Sequence, residues 1–127
     1  MRDRFRFRAY DPLKKQYFYD VQDMYDDEIE CFGYMVDDIY KNGYIVEQCT
    51  GLRDKNGKLI YEGDIVEVSE AYENGIYKVE FCQEDCEYNL YNEDGNFIYQ
   101  LTENMANFIK VIGNILENQE LLEGSDE

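Results

Sequence analysis

Apolar and polar positions alternate with a period of two over several short runs of this chain, the pattern of strands with one buried and one polar face. The first run, Arg4-Phe5-Arg6-Phe7-Arg8-Ala9-Tyr10, would set its arginines on one face and Phe5, Phe7 and Ala9 on the other. Asp11-Pro12-Leu13-Lys14-Lys15 then turns the chain, with proline presetting φ, and Gln16-Tyr17-Phe18-Tyr19 returns. A hairpin over residues 4–20 is predicted. Further strands are expected at Ile45–Thr50, Leu59–Tyr61, Ile65–Val68, Ile76–Phe81, Tyr88–Tyr91, Phe97–Leu101 and Ile109–Gly113, separated by turns such as Asp54-Lys55-Asn56-Gly57-Lys58 and Asn92-Glu93-Asp94-Gly95-Asn96. The strand at Ile65–Ser69 should pair with Ile76–Phe81. Thr102 can cap a short helix running through Met105 to Phe108, and Glu117–Leu122 suits one or two helical turns with Leu121 and Leu122 packing back.

Short strands at this spacing predict a mainly β fold (β-rich α+β), its antiparallel strands curled into a barrel or two packed sheets, with one or two short helices and a short C-terminal helical turn. The length of 127 residues suits a single domain over 1–122, comprising the hairpin 4–20, a variable acidic segment 20–44 and a β core 45–122, followed by a frayed tail 123–127. Residues 20–44 show no clean period; a mobile insertion, a short helix or an extra hairpin turning at Lys41-Asn42-Gly43 all fit them.

Charge changes this picture next. The chain holds 29 acidic and 12 basic residues, a formal charge of −17. Mean hydropathy is −0.67, which leans toward disorder, but 13 tyrosines and 7 phenylalanines supply the large apolar surface a folded core needs. The charge is also uneven: residues 1–15 contain six basic residues against Asp3 and Asp11, so the remainder carries −21. A basic arm for nucleic acid would gain nothing from strict alternation, so Arg4, Arg6 and Arg8 are expected on a folded strand facing acidic neighbours in the same or another copy. The acidic body would repel phosphates, which disfavours direct nucleic-acid binding. No run approaches the roughly 20 apolar residues of a membrane helix, and the start has no signal-peptide pattern, so a cytoplasmic protein without membrane contact is expected.

Candidate chemistry is sparse. With no histidine, histidine-dependent triads and HExxH metal sites are excluded. Cys82-x3-Cys86, with Cys31 and Cys49, could furnish four thiolates to zinc, but CxxC knuckles are absent and reduced thiols are the expected state; no cofactor is expected. Asp54-x-Asn56-Gly57 and Asn92-x-Asp94-Gly95-Asn96 lack the later ligands of an EF-hand and fit hairpin turns. Gly51, Gly57 and Gly63 suit turns whose φ values a β-carbon disfavours, Tyr61, Ile65 and Val66 supply core, and Asp64 can bond main-chain amides and close the Glu62-Gly63-Asp64 turn.

Three segments carry a family resemblance: Phe5-Arg6-Phe7-Arg8-Ala9-Tyr10-Asp11; the central block Gln48–Val66, with its Thr50-Gly51-Leu52-Arg53-Asp54-Lys55-Asn56-Gly57 and Ile60-Tyr61-Glu62-Gly63-Asp64-Ile65-Val66; and Val111–Leu122, which opens Val111-Ile112-Gly113-Asn114. In this order they resemble the YopX-type phage and prophage proteins. Tyr10 stands where tryptophan is usual in that family, Cys49 where an aromatic is common, and Gln119 where proline is frequent. The resemblance implies a small β-rich protein of a bacterial host cell, phage- or prophage-encoded, with no settled activity and a tendency to self-associate. The expected role is therefore a noncatalytic module that binds a protein partner or itself as a homo-oligomer. The alternatives are an acidic mimic of DNA that occupies a host nucleic-acid-binding protein, and a carboxylate-based enzyme.

Overall fold

A computed structural model of the chain describes residues 3–23, 25–26, 31–32, 43–69 and 74–123. They fall into two compact units, Met1–Gly51 and Leu52–Glu127. The division lies inside a strand, seven residues beyond the change in sequence character at 44–45.

The first unit opens with a 3-10 turn over Asp3–Phe5, then runs through β1 (Phe7–Asp11), β2 (Gln16–Tyr19), a second 3-10 turn (Val21–Asp23), the two-residue strands β3 (Tyr25–Asp26) and β4 (Cys31–Phe32), and the start of β5 (Ile45–Arg53). β1 is central, antiparallel to both β2 and β5, with Ala9 opposite Phe18 on one side and Val46 on the other. The expected hairpin forms, but Arg4 and Phe5 are not part of its strand. The Arg6 amide donates to the Asp3 carbonyl at 3.0 Å, which winds this segment into a turn and leaves Phe5 46% exposed. Phe7, Ala9, Phe18, Val21, Tyr44 and Val46 make a small apolar core. β3 and β4 pair as a short ribbon. Lys41 and Asn42 of the expected Asn-Gly turn lie outside the described residues, whereas Gly43 has the left-handed φ of +86°.

In the second unit the end of β5 returns as β6 (Leu59–Tyr61) and continues through β7 (Asp64–Val68), β8 (Gly75–Cys82), β9 (Glu87–Tyr91), β10 (Phe97–Gln100), α1 (Glu103–Ala106), β11 (Ile109–Asn114) and α2 (Gln119–Glu123). The order β10-β9-β8-β7-β11 is an antiparallel meander whose last strand crosses back to pair with its first, curling the sheet into a half-barrel. The expected pairing of β7 with β8 is present, Val66 opposite Tyr77 and Val68 opposite Gly75. Ile60, Val66, Val68, Val79, Leu90 and Ile109 are fully buried in this core. Burial of side chains of this size contributes roughly 1.5–3 kcal/mol each. The Thr102 hydroxyl accepts from the Met105 amide at 3.1 Å and caps α1 as expected, and Leu122 of α2 is fully buried. Among the described residues no helix is long and apolar enough to cross a membrane.

Candidate functional site

The central block holds the residues with the strongest sequence signal, and its polar side chains close turns. Asp54, 6% exposed, follows β5. Its Oδ1 accepts from the amides of Asn56 and Lys58, both at 2.9 Å, and its Oδ2 accepts from the Val111 amide of β11, also at 2.9 Å. The Lys55 amide donates to the Ile109 carbonyl at 2.9 Å beside it, so the β5–β6 turn lies along the outer edge of β11. Gly57 occupies that turn, and the Arg53 guanidinium donates to its carbonyl. Asn92 repeats the local part of the device in the β9–β10 turn, its Oδ1 accepting from Asp94 and Asn96. Both apparent cation loops are therefore hairpin turns in which the side-chain oxygens of Asp54 and Asn92 are engaged by main-chain amides.

Asp64 acts similarly after the next turn: its Oδ2 accepts from the amide of the buried Tyr61 at 2.7 Å. Gly63 between them has φ +87°, its amide donates to the Val79 carbonyl, and its carbonyl accepts from Ile115. Valine at 63 should cost about 1–2 kcal/mol, because a β-carbon crowds the carbonyl in the left-handed region and β-branching worsens it. The melting temperature should fall by roughly 5 °C or more; an unchanged melting curve would remove the structural role assigned to this turn. Gly51 differs from the sequence expectation. It lies within β5, not in a turn, at φ +88°, and an added Cβ would stand 3.0 Å from that of Arg4. Gly113 in β11 is pressed against Asn118, whose Oδ1 would lie 2.7 Å from an added Cβ. Asn114 caps the turn that follows, its Oδ1 accepting from Leu116 and Glu117.

The three candidate arginines separate. Arg4 is exposed, with its guanidinium 4.6 Å from the centre of the Phe5 ring. Arg6 is half-buried and reaches Asp3 at 3.5 Å and Asp20 at 3.7 Å. Arg8 is 3% exposed; its Nε donates to Glu47 Oε1 at 2.8 Å, and its guanidinium lies over the Tyr17 ring. The Tyr17 hydroxyl donates to the same Glu47 oxygen at 2.9 Å. Sequence alternation correctly placed Arg8 opposite the Phe7/Ala9 face, but that face is covered, and the acidic partner comes from β5 of the same unit.

Asp11 shows how the hairpin tip is held. Burial alone would raise its carboxyl, but amide hydrogen bonds from Lys14 and Leu13, a bond from the Tyr44 side chain and the Lys14 charge outweigh that effect and hold it below the ordinary carboxylate value. The cysteines do not converge among the described residues. Cys49 is buried in β5, Cys82 and Cys86 flank the β8–β9 turn, and the Cys31 side chain lies outside the described residues. Cys82 Sγ approaches Asp85 Oδ2 at 3.6 Å and Cys86 Sγ the Gln83 carbonyl at 3.7 Å. Among the described residues no group of three or more cysteine, aspartate or glutamate side chains could hold a metal ion. A surface depression at the β7–β8 end is lined by Glu67, Val68, Ser69, Asn74, Gly75 and Ile76, with one carboxylate among them.

Fold and site together define a strand-rich protein whose signature polar residues fasten turns to strands. The family that builds this block can be named: the chain belongs to the YopX protein family, whose model matches residues 6–123. Three solved chains match it. One is protein EF1440 from Enterococcus faecalis, with a TM-score of 0.54 and 25% sequence identity over 92% of this chain and 96% of that one. No curated protein matches the chain.

Proposed function

We propose that this chain is a noncatalytic accessory protein of phage or prophage origin that works in the cytoplasm of a bacterial host by binding protein. The observation that carries the reading is the division of labour among its acids and amides. Asp54, Asp64, Asn92 and Asn114 of the turns are engaged with main-chain amides, while much of the remaining acidity lies on exposed or half-exposed strand ends and loops. Such a surface offers charge to a partner, while the described turn carboxylates of Asp54 and Asp64 are taken up by main-chain amides.

Self-association through Arg4, Arg6 and Arg8 as a set would have to break the buried Arg8–Glu47 pair, so the exposed Arg4 is the arginine best placed for such a contact. The DNA-mimic reading draws on the second unit, where 18 acidic residues face 5 basic ones. Affinity capture tests the proposal. The tagged chain should retain a protein from lysate of prophage-induced cells, or an untagged copy of itself on coexpression. Recovery of the tagged chain alone in both formats overturns the reading, and elution at moderate salt marks the mimic, because exposed attractions are screened over ~8–10 Å.

A further inference from the structure

The two edges of the second unit's sheet are treated differently. At β11 the edge is occupied: Lys55 donates to the Ile109 carbonyl and Asp54 accepts from the Val111 amide. The other edge is β10, Phe97-Ile98-Tyr99-Gln100; it carries no charged residue and no proline, and its bulge between Phe97 and Tyr99 confines regular pairing, and hence an added strand, to its Tyr99–Gln100 end. We propose that β10 is the docking site for an extended, basic segment of another protein, which joins this sheet as a sixth strand. The proposal rests on the reading of the chain as a protein-binding module and names the surface and the chemistry of the partner.

Main-chain geometry supports pairing at this edge. The Leu101 amide donates to the Tyr88 carbonyl at 2.9 Å. Alternate residues of an antiparallel strand point their amides to opposite sides, so the Gln100 N–H and C=O point away from β9. A bulge interrupts the register between Phe97 and Tyr99, and past it the pairing of Tyr99 with Leu90 and Gln100 with Asn89 is regular. Phe97 is 57% exposed and stands edge-on to Tyr91, offering an apolar contact at the start of the strand.

Charge selects the partner. Between Lys78 and Lys110 there are seven acidic residues and no basic one. Glu93 and Asp94 lie four and three residues before β10, and Glu103 lies three residues after it. Lys78 is already 3.1 Å from Glu80. A strand carrying lysine or arginine at alternate positions would meet acid at both ends. Two copies of β10 paired antiparallel would set Glu93 and Asp94 of one against Glu103 of the other, which opposes that form of self-pairing.

The probe is a synthetic peptide of about ten residues alternating lysine with valine, bound to the full chain and followed by fluorescence anisotropy. Gln100→Pro removes an outward amide without changing charge or the bonds to β9, and should weaken binding by about tenfold or more, the effect of losing one or two hydrogen bonds. Phe97→Ser should weaken it further, and the same peptide methylated on alternate amides should bind the unaltered chain poorly despite identical charge. Equal binding of methylated and unmethylated peptides overturns the proposal, as it would show ionic attraction without strand pairing; this arm decides even where Gln100→Pro does not fold. Homodimerisation abolished by Gln100→Pro makes a second copy the occupant and also overturns it. Protein capture from lysate that survives Gln100→Pro overturns the β10 site and leaves the interaction reading standing, whereas capture of nothing by the unaltered chain defeats both.

Discussion

Asp54→Ala is expected to lower the unfolding free energy by about 3 kcal/mol or more. One carboxylate satisfies three main-chain amides, two local and one 57 positions away in β11. Hydrogen bonds to charged groups contribute roughly 1.5–3 kcal/mol each, and a buried amide left without an acceptor costs about 1–3 kcal/mol. Alanine removes all three acceptors at once and leaves the Val111 amide without its carboxylate. Asparagine supplies one carbonyl oxygen and one amide donor, so Asp54→Asn should fall between the native chain and alanine, having kept either the turn or the strand contact. With no tryptophan in the chain, denaturant unfolding can be followed by tyrosine fluorescence. A shift of less than about 1 kcal/mol for alanine would mean that this aspartate does not fasten the turn to β11.

Only half of that role was legible in the sequence. Asp-x-Asn-Gly announces a turn because the aspartate can bond amides two and four residues on, and β-branched runs between such turns announce strands. These are local effects, and β7 to β11 followed them closely. The second oxygen of Asp54 reaches a strand that no local pattern connects to it. Gly51 reads as a turn residue because glycine is the residue that tolerates the φ values of tight turns; here it lies within β5 at φ +88°, with Arg4 packed on the side where a β-carbon would stand. The period-two run Arg4–Tyr10 holds from Phe7 onward, where Arg8 meets acidic Glu47 of the same unit, and fails at its start. Arg4 and Phe5 lie inside the Asp3–Arg6 turn, and Arg8, on the polar side, is covered. Alternation tells two faces apart but not whether the polar one meets water. The edge position of β10 was equally invisible, since a hairpin signal identifies one neighbour and says nothing about the other side.

Arg8→Met should destabilise the first unit by about 3–5 kcal/mol, because it leaves Glu47 buried without its cation. Among its described residues this unit has little apolar material in reserve. Its core centres on Ala9 and Val21, with partly buried aromatics around them, while Arg8, Asp11, Gln22 and Glu47 are buried beside it. Breaking a buried pair costs more than replacing both members, since apolar side chains of similar volume need no compensation. The double variant Arg8→Met/Glu47→Leu should therefore recover most of the loss, short of the about 1–2 kcal/mol expected for the Tyr17 hydroxyl deprived of its acceptor. A double-mutant cycle read by amide exchange at Ala9 and Phe18 reports on this unit directly, and the coupling should exceed about 1 kcal/mol. Additive losses would mean that Arg8 is not held by Glu47 and is available to a partner after all. Strong coupling leaves Arg4, Lys14 and Lys15 as the exposed basic groups among the described residues of the N-terminal segment, and gives a partner seeking positive charge there the hairpin tip and the first turn, not the strand between them.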